Sequence, residues 1–252
     1  MSCRAGRALF ARYAYAPNAL GYCGPAGSGG LERVACGGGL DVDVDGLARR
    51  FSGAWPYQQL LAEMSGVDDP LDDRVVRGYW TGNALTAATD RERFGAALLV
   101  RLGERAGHYW KYLTEDLLPE AAPTHAFHVF GIYPWTRLLG TGMPQPLHVL
   151  DSCRIRNGVV LELLSDAAVV RSRPMQFDGA RLTLGPLEDR AVRSRVAAGS
   201  FVPGLRVGDH VAVHWDLVCD RLDAEEASSL EHWTDWQLGR TNIRLAGEAV
   251  AT

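Results

Sequence analysis

Val207-Gly-Asp-His-Val-Ala-Val-His214 is the stretch on which the reading of the fold turns. Gly208-Asp209 supplies a turn. From His210 the side chains alternate, with Val211 and Val213 on one face and Ala212 and His214 on the other, so a β-strand ends on a histidine. Similar short runs surround it: Gly158-Val-Val-Leu-Glu-Leu-Leu164, Ala167-Ala-Val-Val-Arg171 and Arg181-Leu-Thr-Leu184, parted by the turn formers Asp166 and Asp178-Gly179. Several short strands with turn signals between them predict a small barrel or sandwich. Downstream, Leu222-Asp-Ala-Glu-Glu226 opens a helix. Asp223 is its N-cap, and Glu226 three residues later returns to the cap amide. Ala227, Leu230, Trp233 and Trp236 form the face expected to lie on the strands.

Upstream of the turn-rich connector Thr141-Gly-Met-Pro-Gln-Pro146, the period changes from 2 to 3.6. A helix is predicted from Gly6 to Ala16, stopped by Pro17-Asn18, and the Gly- and Pro-dense residues 18–30 read as loop. Further helices are predicted from about Asp45 to Phe51, from Trp55-Pro56 to Gly66, and after Asp69-Pro70, where Leu71, Val75, Val76, Tyr79, Trp80 and Leu85 form one stripe. Two more start at Asp90 and at His108, the latter running to Leu118 and closed by Pro119. The fold class is therefore α+β, with an all-helical domain over residues 1–142 and a β-domain with a C-terminal helix over residues 147–252.

The 252 residues are 47% apolar and 22% charged with a net charge of −4, which places the chain among ordinary globular proteins. Interspersed acids and bases give no nucleic-acid or anionic-membrane surface. No secretory signal or membrane-length apolar run is visible, so the expected compartment is the cytoplasm. The five cysteines, Cys3, Cys23, Cys36, Cys153 and Cys219, are expected there as thiols.

Residues 147–238 resemble the HypC/HupF family of nickel–iron hydrogenase maturation chaperones. Cys153-Arg-Ile-Arg-Asn-Gly158-Val-Val matches the family's opening, Val207 to His214 its Gly-Asp-aromatic-Val-x-Val-His strand with His210 at the aromatic position, and Leu222-Asp-Ala-Glu-Glu-Ala227 its final helix start. The resemblance implies an OB-like β-barrel with a C-terminal helix, and an assembly factor rather than an enzyme. It implies iron carrying cyanide and carbonyl ligands as cargo, and hydrogenase maturation proteins or the hydrogenase large subunit as partners. The family's iron-ligating cysteine aligns with Cys153, and its strand-end histidine with His214. Four features depart from the family: Cys153 is internal, Asn157 replaces the loop proline, the stretch between Cys153 and Gly208 is longer, and Trp215-Asp216 stand where the family has glycine and an aromatic. The N-terminal stretch from Tyr13 to Pro25 is similar to an uncharacterised bacterial family.

The residues themselves support a metal reading beside bland ones. A thiolate at Cys153 suits a soft-ligand metal, and the flanking Arg154 and Arg156 are expected to lower its pKa. Free cysteine is, however, often a small buried hydrophobe. His214 serves equally as a ligand or as a core histidine bonded to a carbonyl, with Asp216 or Asp220 able to orient it. His125-Ala-Phe-His128 places two histidines three apart, with His148 and Cys153 following. If the junction folds back, these four form a mixed N/S site acceptable to iron or zinc. Cys219 offers a weaker pair with His214. A metal-dependent enzyme built on the interdomain His/Cys set, and a non-metal binding adaptor, remain the alternatives.

Overall fold

A computed structural model describes residues 2–27, 29–103 and 114–250. The N-terminal half is helical: α1 (Ser2–Ala19), α2 (Gly29–Ala35), α3 (Val44–Ala48), α4 (Trp55–Ser65), α5 (Asp73–Trp80), α6 (Ala84–Ala88) and α7 (Arg91–Gly103). Local chemistry sets these bounds. Pro56 sits in the first turn of α4 and Gly66 closes it at φ 65°. Asp72 caps α5 by accepting from the Arg74 amide, and Asn83 with Thr86 makes a capping box for α6.

Three helical expectations change. α1 runs through Pro17 instead of stopping there, because a proline near a helix end gives up only one hydrogen bond and its fixed φ is helical. Gly29-Gly30 begin α2, where a loop was expected. The single stripe from Leu71 to Leu85 is split into α5 and α6 by Thr81-Gly82, with Gly82 at φ 79°. Of the helix expected from His108 to Leu118, residues 108–113 lie outside the described residues, and the rest falls in a 3₁₀ turn, Glu115–Glu120.

A short helix, α8 (His125–Phe127), runs into a π-helical turn, His128–Ile132, and α9 (Gln145–Cys153) leads directly into the strands. These are β1 (Arg156–Leu163), β2 (Ala167–Ser172), β3 (Met175–Phe177), β4 (Leu182–Leu184), β5 (Glu188–Arg193), β6 (His210–His214) and β7 (Leu217–Leu222), followed by α10 (Ala224–Val250). The protein is thus a mixed α/β fold with a helical N-terminal part and a C-terminal helix. Five strands pair in the order β1-β2-β5-β7-β6, and β1 pairs β6 in turn. The β5–β7 link consists of one parallel pair, Arg193 with Leu217, so this circuit closes far more loosely than the continuous ladder a barrel implies. β3 and β4 form a separate two-stranded ribbon.

The hydrophobic core is shared. One cluster includes Leu9, Phe10 and Tyr13 of α1, Tyr79 and Trp80 of α5, Val211 and Val213 of β6, and Leu230 and Trp233 of α10. Tyr15 meets Phe201 edge to face at 5.4 Å. Arg12 of α1 and Arg77 of α5 both reach Asp220 of β7 at 3.1 Å. Burial raises the Asp220 carboxyl, and Arg77 and Arg12 oppose that rise, which keeps an otherwise costly acid in a core strand. The capping box of α10 is present as expected, with Asp223 N donating to Glu226 and Glu226 N to Asp223, both at 2.9 Å. Further along α10, Asn242 bonds both the amide and the carbonyl of Leu182 at 2.8 Å, tying the ribbon to the helix. Among the described residues, no helix is long and apolar enough to cross a membrane.

Candidate metal centre

α9 ends on Cys153, and the last carbonyls of any helix lack partners within it. Here they organise the site. The Ser152 carbonyl accepts from the Trp215 amide at 2.9 Å, and the Cys153 carbonyl lies 2.9 Å from Nε2 of His125. Trp215 and Asp216 are the two residues between β6 and β7, at φ 50° and 54°. A two-residue hairpin whose central residues both take positive φ is the tight turn that fits strand twist, but glycine and asparagine normally fill it. A tryptophan there is strained, and such strain gathers at functional sites. The ring of Trp215 stacks on Tyr22 with centroids 4.0 Å apart.

His214, the last residue of β6, is fully buried, and its Nδ1 lies 2.8 Å from the Tyr13 carbonyl. That carbonyl would be claimed in a regular helix by the amide four residues on. Residue 17 is proline and has none. Pro17 therefore frees the carbonyl that fixes His214, with the proton on Nδ1. The other nitrogen, Nε2, is buried and makes no hydrogen bond of good geometry, although the Cys153 backbone lies near enough to favour a proton on the ring.

His125 is held by α8, which Thr124 caps by accepting from the Phe127 amide. Its Nδ1 is 3.0 Å from the Tyr79 hydroxyl, which donates to the Gly53 carbonyl at 2.8 Å. The Cys153 carbonyl accepts from Nε2, a bond that opposes the effect of burial on the ring, and Nε2 lies 4.0 Å from the Cys153 sulfur. A cation would be held by Nε2 once that proton has moved to Nδ1, where the relay from His125 to Tyr79 to Gly53 receives it.

The donor atoms of His125, Cys153 and His214 all lie within 4.8 Å of one another. A tetrahedral ion with bonds of about 2.0–2.3 Å to nitrogen and sulfur sets its donor atoms roughly 3.3–3.8 Å apart, so the widest pair would close by about 1 Å on binding. The cavity over them leaves about 30 Å³ for the centre of a water-sized sphere, room for an ion and one or two small atoms beside it. Trp80, His128, Tyr133 and Cys23 also line it, and among the described residues that line it there is no carboxylate and no arginine.

Burial dominates the electrostatics. It pushes the Cys153 thiol up to about 12, opposed in part by the Trp215 indole N–H. It lowers His214 to about 4, with the charge of Arg156 adding to the fall and the Tyr13 and Cys153 backbone opposing it. It lowers His125 well below its usual value, helped by His214 and His128. All three groups are therefore neutral in the metal-free protein at pH 7, and a bound cation would displace the thiol proton.

Two expectations are corrected here. Arg154 and Arg156 do not activate Cys153: Arg154 bonds Asp151 at 2.9 Å and the Arg173 carbonyl, and Arg156 pairs with Asp216. Nor does an acid orient His214, since Asp216 serves Arg156 and Asp220 serves Arg12 and Arg77. The remaining sequence candidates lie around the centre. His128 shares the cavity, its Nδ1 3.5 Å from the Tyr57 hydroxyl, and burial lowers it to about 4. His148 is exposed on α9, its ring 6.4 Å from that of Trp215. Cys219 is fully buried and donates to the Leu217 carbonyl at 3.4 Å. The grouped donors thus take His125 from the upstream histidine pair and His214 from the strand. Tyr79, Trp80 and Trp215 were read from sequence as core aromatics or a departure from pattern.

One family model, described as a family of unknown function (DUF6390), matches residues 2–248. Comparison with curated proteins and with solved structures gives no match.

Proposed function

We propose that this chain, which belongs to the DUF6390 family of unknown function, holds one transition-metal ion at Cys153, His125 and His214. The observation that carries this reading is the grouping of the Cys153 thiol with the buried imidazoles of His125 and His214, whose donor atoms lie within 4.8 Å of one another, the Nε2 of His214 making no well-aligned hydrogen bond. A buried nitrogen without a partner is costly, and a cation removes that cost. Thiolate and imidazole donors suit iron and zinc in their divalent states. The carbonyl behind His214 and the hydroxyl behind His125 are the supports that metal-bound histidines ordinarily have.

Three protein donors leave one position open, which suits either a carrier or an enzyme. A hydrolytic enzyme also needs a base near the open position; no carboxylate is among the described residues lining the cavity, and burial lowers its further imidazole, His128, to about 4, a weak base at neutral pH. The carrier reading is therefore preferred. The resemblance of residues 147–238 to HypC/HupF gives it a finer form. The metal would be precursor iron with cyanide and carbonyl ligands, passed in the cytoplasm to hydrogenase maturation proteins or the large subunit, and the five-stranded circuit would be an OB-like barrel. The enzyme alternative keeps the same centre and a small-molecule substrate.

Protein isolated anaerobically from a hydrogenase-producing host tests the finer reading. Infrared bands of iron-bound cyanide and carbonyl, absent in Cys153→Ala, are the expected result. Stoichiometric zinc with no such bands and no co-purifying maturation partner would turn the assignment toward the enzyme.

A further inference from the structure

A divalent ion held by one thiolate and two neutral imidazoles carries a net charge of +1. Pro17, Phe51, Tyr79, Trp80 and Val149 are among the residues around it, and no carboxylate is among the described residues lining the cavity. A lone charge in such surroundings is strongly disfavoured. The missing negative charge has a source in the same wall, the thiol of Cys23. A divalent ion with two thiolates and two neutral imidazoles is neutral, and four donors complete the tetrahedron of a closed zinc-type site.

Cys23 is a free thiol on the stretch that joins α1 to α2, and this stretch forms a strap across the cavity. Tyr22 stacks on Trp215, the residue after His214, with centroids 4.0 Å apart, and its carbonyl accepts from the Tyr133 hydroxyl at 3.3 Å. The Asn18 side-chain amide donates to the Cys23 carbonyl at 2.8 Å and to the Pro25 carbonyl at 2.6 Å, which ties the strap to the end of α1. Gly21 and Gly24 bracket Tyr22-Cys23, both exposed and both at φ 78°, a conformation open to glycine that lets the short segment swing about its two ends. Cys23 is only partly buried, whereas His125 and His214 are buried, so the strap is the wall of the cavity nearest solvent. Burial raises the Cys23 thiol and the charge of Cys153 adds to the rise; both sulfurs also act on the buried Tyr79 hydroxyl that supports His125. The Cys23 sulfur stands outside the 4.8 Å group of donor atoms. A shift of the strap, or a turn of the side chain about its Cα–Cβ bond, brings it in.

We infer that Cys23 is the fourth ligand of the centre, closing over the ion from the strap to take the position that Cys153, His125 and His214 leave open. The inference rests on the metal reading above and deepens it by saying what guards that position. Binding breaks the S–H bond of Cys23 and forms a sulfur–metal bond, and the proton goes to solvent. The sulfur keeps its oxidation state and no other reactant is needed. The ion is then enclosed by four protein donors, and it leaves only when the strap lifts and a partner's donor takes the place of Cys23. A closed, neutral set of this kind suits an ion in transit better than one that must meet a substrate.

The test uses the full chain loaded anaerobically with Co²⁺, beside Cys23→Ala. The near-ultraviolet charge-transfer band of thiolate-bound cobalt counts sulfur ligands, and titration at constant pH counts released protons. The unmodified chain is expected to release a second proton, from Cys23, beside the one that Cys153 gives up. Its charge-transfer intensity per ion is expected to be roughly twice that of Cys23→Ala, two thiolates against one. Cys23→Ala still takes up one equivalent, with an affinity against a competing chelator at least about 10-fold weaker, since a bound donor matters no less than a supporting one. The same intensity and proton count in both proteins overturns the inference and leaves the metal reading intact. Absence of Co²⁺ uptake by the unmodified chain overturns both. Should Cys23→Ala not fold, alkylation of the unmodified chain by iodoacetamide, mapped by mass spectrometry, decides the question. Co²⁺ is expected to protect Cys23 as well as Cys153, and a Cys23 alkylated equally fast with and without Co²⁺ overturns the inference.

Discussion

Pro17 shows how much a single residue decides in this protein. Its missing amide leaves the Tyr13 carbonyl for His214, at 2.8 Å, and that bond sets which nitrogen of the imidazole faces the cavity. Replacing Pro17 with alanine restores an amide that competes for the same carbonyl. The helix itself should tolerate the change, since alanine is the best helix former. Zinc affinity measured against a competing chelator is expected to fall about 10-fold in Pro17→Ala, the lower end of what loss of such a supporting bond costs. An unchanged affinity would mean that the carbonyl does not orient the histidine. Cys153 and His214 were legible in the sequence because a thiol and a strand-end histidine carry chemistry in their side chains. Pro17 was legible only as a helix stop, because what matters is an atom it lacks. The neighbours assigned to these residues were wrong for a related reason. Sequence adjacency suggested Arg154 for Cys153 and Asp216 for His214, whereas in the fold these arginines and acids satisfy one another.

Among the elements, legibility follows how much of the burial pattern belongs to the element alone. β1, β2 and β6 alternate or run apolar, and their positions were read within a residue or two. β5, Glu-Asp-Arg-Ala-Val-Arg193, buries only Val192 and carries no pattern to read. β7 is buried on both faces but contains Asp220 and Arg221, and its acid is tolerated only because Arg12 and Arg77 arrive from distant helices. The break between α5 and α6 depends on Gly82. At φ 79° that residue leaves no space for a side chain, since a Cβ would lie 2.1 Å from Cδ1 of Trp233 on α10. Gly82→Ala is expected to lose stability by roughly 2–4 kcal/mol, summing a left-handed alanine and displacement of a packed indole. A urea midpoint within error of the unmodified chain would show that the α5–α6 corner does not bear on α10.

For the molecule as a whole, placing imidazoles in a shared core makes stability depend on pH. Folding holds His128 and His214 near a pKa of about 4, against about 6.5 in an unfolded chain. Between these values the unfolded chain binds more protons, so stability rises with pH and is lost as pH falls from about 6.5 toward 4. Each histidine contributes a change on the order of 3 kcal/mol over that window. Metal-free protein is expected to melt at markedly lower temperature at pH 5 than at pH 7.5, and His128→Phe should flatten that dependence. A melting temperature independent of pH across this range would contradict the burial of these rings. The same shared core explains why a division at residues 142–147 reads well from sequence yet says little about the centre. Its donors come from α8, from the end of α9 and from β6, and its supports come from α1, α5 and the residues around Gly53.

The central claim is that three side chains brought together from separate elements form one metal site, and equilibrium dialysis against buffered zinc with elemental analysis tests it most directly. The account predicts one equivalent bound per chain at pH 7.5, about one proton released as the Cys153 thiol ionises, and loss of tight binding in both Cys153→Ser and His214→Gln. Zinc bound to the same extent by the unmodified chain and both variants, or not bound by any of them, would contradict it.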